Sequence, residues 1–267
     1  MIEQLADYHI HTTFCNHANG TMKQYVKQAI SVGLREMGFS DHNPLPASFN
    51  NPYRMLPEDL QIYFNIINDL QAQFPQIKIR AGIELDYIEE AIDYLEKFVS
   101  NNDFDYIIGS VHYLNMNASQ HLAYLNDIHN YDKAWLFQIY FENVEKAITS
   151  GLFDIIAHFD LPRRFWGDLD ETAMSYAVHA LKSMKKNDLC LEVNTSGFRT
   201  KNVEEPFPCC KLLQLANELE IPVTLGSDAH RLCDVGSYFD EAIALLKEIG
   251  FEYIHFFANR QRIPLKI

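Results

Sequence analysis

Basic residues are scarce in this sequence: 22 lysines and arginines stand against 36 aspartates and glutamates, a formal net charge of −14 over 267 residues. A surface for long nucleic acid is therefore not expected, because phosphate backbones are held by concentrated Lys and Arg. The same deficit leaves a small anionic substrate open, since divalent cations held in a pocket reverse the potential inside it. Paired cysteines are missing too. Cys15, Cys190, Cys209, Cys210 and Cys233 are odd in number and contain no Cys-x-x-Cys spacing, so reduced thiols are expected. No uncharged apolar stretch is long enough for a bilayer, and Met1-Ile2-Glu3-Gln4 does not begin a basic-then-apolar leader. A cytoplasmic protein with no membrane partner is the expectation. Low-complexity tracts, short-period repeats and a domain boundary are absent as well, and 48% hydrophobic residues suit one domain over 1–267.

What the sequence does have is histidine in patterned places. Asp7-Tyr8-His9-Ile10-His11-Thr12-Thr13-Phe14-Cys15-Asn16-His17 packs three histidines into nine residues. In an extended segment, alternation by two puts His9 and His11 on one side, where both can grip one ion. His17 follows past a polar loop and can fold back to the same place. Cys15 sits between these histidines, but imidazole and carboxylate partners do not call for a thiolate ligand.

Beyond this stretch strands and helices alternate. Helices are expected over 22–32, 57–74, 88–99, 132–150, 170–186, 211–219 and 239–249, with Gly33, Pro75 and Gly151 as stops. Strands are expected over 36–42, 78–85, 106–111, 153–157, 189–194 and 222–227, with a further strand-like run at 253–257. The segment 43–56 holds three prolines and reads as a long ordered loop, and 113–131 reads as irregular. Such alternation fits a parallel barrel or an open doubly wound sheet.

The strand ends choose between the two. His42, Glu84, His112, His158 and the pair Asp228 and His230 each fall where a strand stops, as do His9 and His11. An open sheet gathers ligands at one or two switch points, whereas a closed barrel brings every strand end to one mouth. The expectation is a barrel with its site at the C-terminal mouth. His9, His11, His17, His42, Glu84, His112, His158, Asp228 and His230 then converge as metal ligands, a set suited to zinc, manganese or iron and numerous enough for several ions.

These residues also resemble the PHP superfamily, named for polymerase and histidinol phosphatase. The resemblance rests on His-Ile-His-Thr-Thr-Phe-Cys-Asn-His-Ala at 9–18, Ser-Asp-His-Asn-Pro at 40–44 and Gly-Ile-Glu at 82–84. It continues through Gly-Ser-Val-His at 109–112, Ala-His-Phe-Asp at 157–160 and Gly-Ser-Asp-Ala-His at 226–230, and so covers nearly the whole chain. The nearest likeness is to the stand-alone histidinol-phosphate phosphatases. It implies a distorted seven-stranded β/α barrel with three divalent ions. By that resemblance His9, His11, Glu84 and Asp228 hold the first ion, Glu84 bridges to a second held by His112 and His158, and His17, His42 and His230 hold the third. The strand-like run at 253–257 would be an eighth strand, one more than the family pattern.

The activity implied is hydrolysis of L-histidinol phosphate, a small phosphorylated partner, to L-histidinol and phosphate in histidine biosynthesis. A cation cluster can neutralise the phosphate and lower the pKa of a bridging water for in-line attack. Candidate catalytic residues are Asp160, Asp228 and His230, Asp160 either protonating the leaving group or, preferably, orienting His158. Arg163 and Arg199 are candidates for clamping phosphate oxygens, with Arg164 a solvated loop charge. Asn43, Arg54 and the 115–129 region are candidates for reading the imidazole and amino group. His121, His129, His179 and His255 lie outside the constellation, although His121 and His129 belong to a loop that can roof the pocket. The alternatives are a phosphodiesterase or nuclease of the same superfamily acting on short oligonucleotides or nucleotides, and a metal-binding regulatory protein without turnover.

Overall fold

The computed structural model describes residues 5–46, 49, 51–115, 122–128 and 131–267. The chain begins with β1 (Ala6–Asp7), α1 (Met22–Ser31), β2 (Glu36–Phe39), α2 (Leu60–Gln73), β3 (Lys78–Asp86), α3 (Ile92–Ser100) and β4 (Tyr106–Ser110). Next come β5 (Tyr113–Asn115), β6 (Leu122–Tyr124), α4 (Lys133–Thr149), β7 (Ile155–Ile156), α5 (Arg163–Trp166), α6 (Glu171–Lys186), β8 (Cys190–Asn194) and α7 (Ser196–Arg199). The order closes with α8 (Cys210–Glu218), β9 (Val223–Gly226), α9 (Phe239–Ile249), β10 (Tyr253–Ala258) and β11 (Gln261–Lys266).

Helix ends follow local chemistry. Thr21 accepts from the Gln24 amide while Gln24 accepts from the Thr21 amide, a capping box that starts α1. Asp132 and Asp170 cap α4 and α6 by accepting from Trp135 N and Ala173 N. At the end of α9, Gly250 takes the left-handed φ of 111° that a side chain would resist.

Seven strands pair in parallel in the order β1-β2-β3-β4-β7-β8-β9, with helices in the crossovers. The result is a nearly closed α/β barrel. Strands β2, β4, β8 and β9 are buried at every residue, as strands covered on both faces must be. The seam between β1 and β9 is bridged just past their ends, where His11 N donates to Ala229 O at 2.9 Å and Ala229 N donates to His9 O at 3.0 Å. Closure is thus made at the C-terminal edge.

The lumen below that edge is packed. A Cβ on Gly38 or Gly82 would lie 2.1 or 2.2 Å from Tyr106, so both glycines make room for its ring. The Tyr106 hydroxyl sits 2.8 Å from Tyr8 O and 3.1 Å from Phe39 O.

Three expectations change. The run at 253–257 is no eighth barrel strand: β10 pairs antiparallel with β11 in a separate hairpin. The hairpin is tied to the barrel by Thr224 Oγ1 donating to His255 O and by Phe257 N donating to the Tyr8 hydroxyl. The segment 113–131, expected to be irregular, contains the β5–β6 hairpin, and the exit loops after β7 and β8 each wind one helical turn. No helix among the described residues is long and apolar enough to cross a membrane.

Candidate metal centre

All nine expected donors come to the barrel mouth, and Glu84 is their hub. It points inward because it lies two residues beyond Gly82 on β3, on the face that receives Tyr106. His42 is its neighbour across the strands, through a parallel bridge in which Glu84 N donates to Asp41 O at 3.0 Å. Glu84 Oε2 lies 3.4 Å from His9 Nε2, 3.4 Å from His11 Nε2 and 3.0 Å from His42 Nδ1. Its other oxygen, Oε1, lies 3.1 Å from His158 Nε2 and 3.7 Å from His112 Nε2. Asp228 Oδ1 faces His11 Nε2 and His230 Nδ1, both at 3.4 Å. His17 meets His230 with their Nε2 atoms 2.8 Å apart.

Two of these donors need unusual backbone. His158 has φ of 22° and Asp228 of 53°, conformations that side-chain-bearing residues rarely adopt and that cluster at functional sites.

The donor set fits divalent ions. The Nε2 atoms of His9 and His11 stand 3.1 Å apart, and two imidazoles bound to one ion at about 2.0–2.1 Å place their nitrogens roughly 3 Å apart. Fully buried atoms here, among them Glu84 Oε2, His11 Nδ1 and His158 Nδ1, have no hydrogen-bond partner among the described residues. Such orphans are costly unless a ligand satisfies them. Compact donor groups include His9 with His11 and Glu84, His17 with His42 and His230, and His42 with Glu84 and His112. Another joins His11, Cys15 and His230, which brings the discounted thiol within reach of the centre.

Charge distribution agrees with this. Burial works against a charged Glu84, yet the imidazoles of His42, His9 and His112 hold its carboxyl well below the usual carboxylate range. Asp228 is held down likewise, by His9 and His11 against its burial. Burial pushes His42 down to about 4 despite Glu84, which keeps its imidazole neutral, the form that ligates. At His9 burial is overridden by Glu192 and Glu84, which raise it, so an ion entering there displaces a proton.

The PHP domain family model matches residues 7–196, and a PHP-associated model matches 210–259. A Deinococcus radiodurans protein named "Probable histidinol-phosphatase" is 38% identical over 94% of this chain and 96% of its own length. The histidinol-phosphatase of Bacillus subtilis is 30% identical over 89% of this chain and 97% of its own. This chain belongs to the PHP-type histidinol-phosphatase family. The Lactococcus lactis histidinol phosphate phosphatase, solved with zinc, L-histidinol and phosphate, shares the fold with a TM-score of 0.76 at 22% identity, covering 97% of this chain and 99% of that one. In this family member the donors from His9 to His158 lie in the PHP segment and Asp228 and His230 in the PHP-associated one. The β8–β9 pairing joins the two segments into one centre.

The other expected residues divide. Arg199 lines a cavity of about 420 Å³ over the donors, together with Arg164 and Arg231. Its guanidinium donates to Ser227 O at 2.7 Å and Ser237 Oγ at 2.6 Å, which ties it to the Asp228 loop. Arg163, expected at the phosphate, is turned away from the cavity. Its guanidinium is buried among Asp160, Asp168 and Glu205, because three carboxylates outcompete an open mouth for one fork of donors. Arg164, set aside as solvated, takes the position on the wall.

Asp160 is fully buried, and burial pushes its carboxyl up to about 6 against the pull of Arg163. It accepts from Cys209 N at 2.9 Å and from Arg163, and its remaining oxygen has no partner among the described residues. Arg54 is buried against Asp86 and Asn43. His179 faces Glu145 at the surface, His255 sits on β10, and His121 and His129 lie outside the described residues.

The sequence reading missed the carboxylates behind the ligands. Glu192 Oε1 lies 2.6 Å from His9 Nδ1, and its Oε2 accepts from His158 N at 2.8 Å. Asp86 Oδ1 lies 2.8 Å from His112 Nδ1. Such partners fix the tautomer and aim of a ligating imidazole. A signal was available: Glu192 is a lone charge in the apolar run Leu189-Cys190-Leu191-Glu192-Val193. The space for it is also built in, since a Cβ on Gly226 would lie 2.0 Å from Glu192 Oε1.

Proposed function

We propose a reaction in which this chain, a phosphoric monoester hydrolase, splits L-histidinol phosphate into L-histidinol and phosphate at the barrel mouth. The observation that carries it is the convergence of seven imidazoles and two carboxylates at the barrel mouth, five of the imidazoles and both carboxylates lining a cavity whose wall also bears guanidiniums. The names of its relatives agree.

The ligand assignment is three divalent ions, zinc, manganese or iron. His9, His11, Glu84 and Asp228 hold the first, Glu84 with His112 and His158 the second, and His17, His42 and His230 the third. Proximity of the donors supports the division, with His42 standing between the last two groups. Bound ions supply charge neutralisation of the phosphate and activation of water. The chain's own residues do the rest. Arg164 and Arg199 receive phosphate oxygens from the cavity wall with planar forks of donors. Asp228 and His230 both line the cavity, and there they orient the attacking water, take up the proton it loses and hand that proton to the departing alkoxide. Glu192 and Asp86 keep His9 and His112 aimed. Asp160 and Arg163 brace the loop after His158 against Cys209 rather than touching substrate.

Phosphate release by metal-replete protein tests this, with L-histidinol phosphate, 2-aminoethyl phosphate and a dinucleotide as substrates. L-Histidinol phosphate is expected to be preferred. A greater rate on the dinucleotide would make the site that of a phosphodiesterase, and inertness toward all three would leave a binding protein.

A further inference from the structure

The cavity over the donors has a second lobe of about 270 Å³, which shares His17, His42, His112 and Tyr124 with the main one. The two lobes differ in chemistry. Arg164, Arg199 and Arg231 belong to the main lobe alone, Tyr53, Tyr113 and the Asp86-paired Arg54 to the second alone, and Tyr124 stands at their shared edge. Tyr113 is already covered, because the Arg54 guanidinium lies over its ring at 5.4 Å and is itself paired with Asp86. Among the described residues no cation lies over Tyr53 or Tyr124, although Tyr124 also touches Tyr113 with ring centroids 5.5 Å apart. Tyr53 and Tyr124 are 55% and 38% exposed, Tyr53 beside the exposed His17 and Tyr124 beside the buried His112. They come from separate parts of the chain, one from the proline-rich segment after β2 and one from the end of β6. Tyr53 meets His17 edge-on with centroids 5.4 Å apart, and Tyr124 meets His112 at 6.1 Å. Two open aromatic rings from separate segments therefore border this lobe next to the donors.

The substrate has two unlike ends. Its phosphate belongs at the cation centre and the guanidiniums of the main lobe. Its other end is a flat nitrogen heterocycle beside an ammonium, for which Arg164 and Arg199 on the main lobe are poor partners, Arg231 being paired with Asp234. Aromatic faces attract such an end, by stacking and by the cation–π effect. We propose that Tyr53 and Tyr124 form an open clamp for the planar nitrogen heterocycle of the substrate, and that this clamp selects L-histidinol phosphate among phosphomonoesters. The inference rests on the reaction proposed above and adds the residues that read the organic end. The metal donors are common to any phosphoester, so discrimination must come from groups such as these.

The test is steady-state kinetics of the metal-replete full chain on L-histidinol phosphate and on the ring-free 2-aminoethyl phosphate, with product inhibition by L-histidinol and by inorganic phosphate. Tyr53→Ala and Tyr124→Ala are expected to raise KM for L-histidinol phosphate about tenfold or more, chiefly without loss of kcat. Inhibition by L-histidinol weakens in parallel while inhibition by phosphate does not, and the ratio of kcat/KM for the two substrates falls by a similar factor. Tyr53→Phe and Tyr124→Phe retain the ratio, since a phenyl face serves as well. An unchanged ratio in both alanine variants overturns the clamp. So does a fall of both substrates and of phosphate inhibition together, which marks a merely structural role. Wild-type protein that fails to turn over L-histidinol phosphate overturns the proposed reaction itself, and the clamp with it.

Discussion

At the floor of the barrel lumen, Tyr106 fills the space left by Gly38 and Gly82, and its hydroxyl finds two carbonyl oxygens. At the mouth, two residues further along β3, Glu84 is equally buried and keeps an oxygen with no hydrogen-bond partner among the described residues. The same strands line both regions. The floor satisfies its polar atoms internally and acts as packing; the mouth holds buried charge whose partners are other ionisable groups. Buried charge without internal compensation costs several kcal/mol, so a region that keeps it is organised around something it binds.

Changes at the mouth should separate from changes at the floor. The largest expected effect is Glu84→Gln, which removes the donor shared by two groups: kcat/KM should fall about a thousandfold or more, with metal content per chain reduced while circular dichroism stays native. His112→Ala should likewise abolish turnover with folding largely intact. Glu192→Gln acts one step back, by loosening the aim of His9, and should cost about 10- to 100-fold in metal affinity, measured by competition with a chelator. At the floor the pattern reverses. Gly82→Ala forces the Tyr106 ring to shift and should cost about 1–3 kcal/mol of stability in denaturant unfolding, while activity per folded molecule survives at low temperature. Activity lost there without loss of stability would dissolve the distinction between the two regions.

The smallest effect tests a histidine remote from both. Burial lowers His255 below its ordinary value of 6.5, with the Val223 carbonyl and Asp188 opposing and Arg262 reinforcing. Its folded form is therefore the neutral one. Its contribution to stability is complete above that ordinary value and is lost as pH falls through the lower folded value. His255→Gln should slightly flatten the decline in melting temperature between about pH 7 and about pH 5.

Much of this was legible in the chain. Alternation with glycine and proline stops predicted six of the seven barrel strands and the long helices, because these signals are local; the first strand, expected in the extended stretch around His9 and His11, is Ala6–Asp7. Eight of the nine donors were legible because each falls at a strand end, where a parallel barrel exposes side chains to one mouth, and His17 was legible from its place in the loop just past His9 and His11. The separate β10–β11 hairpin was not legible, since an apolar strand carries no mark of the sheet it joins. The fate of Arg163 and Arg164 was also hidden. They are adjacent in sequence, and only the positions of Asp160, Asp168 and Glu205 decide which is captured.

Residue types and their spacing, then, determined a parallel α/β architecture and a histidine-rich centre for divalent ions, because strand periodicity and ligand chemistry act over a few residues. Tertiary structure alone decided which carboxylates stand behind the imidazoles, which arginine reaches the cavity, and that two tyrosines from distant segments border its second lobe. Those outcomes depend on distances between parts of the chain remote in sequence, and they follow from closure of the barrel between Ile10 and Ala229.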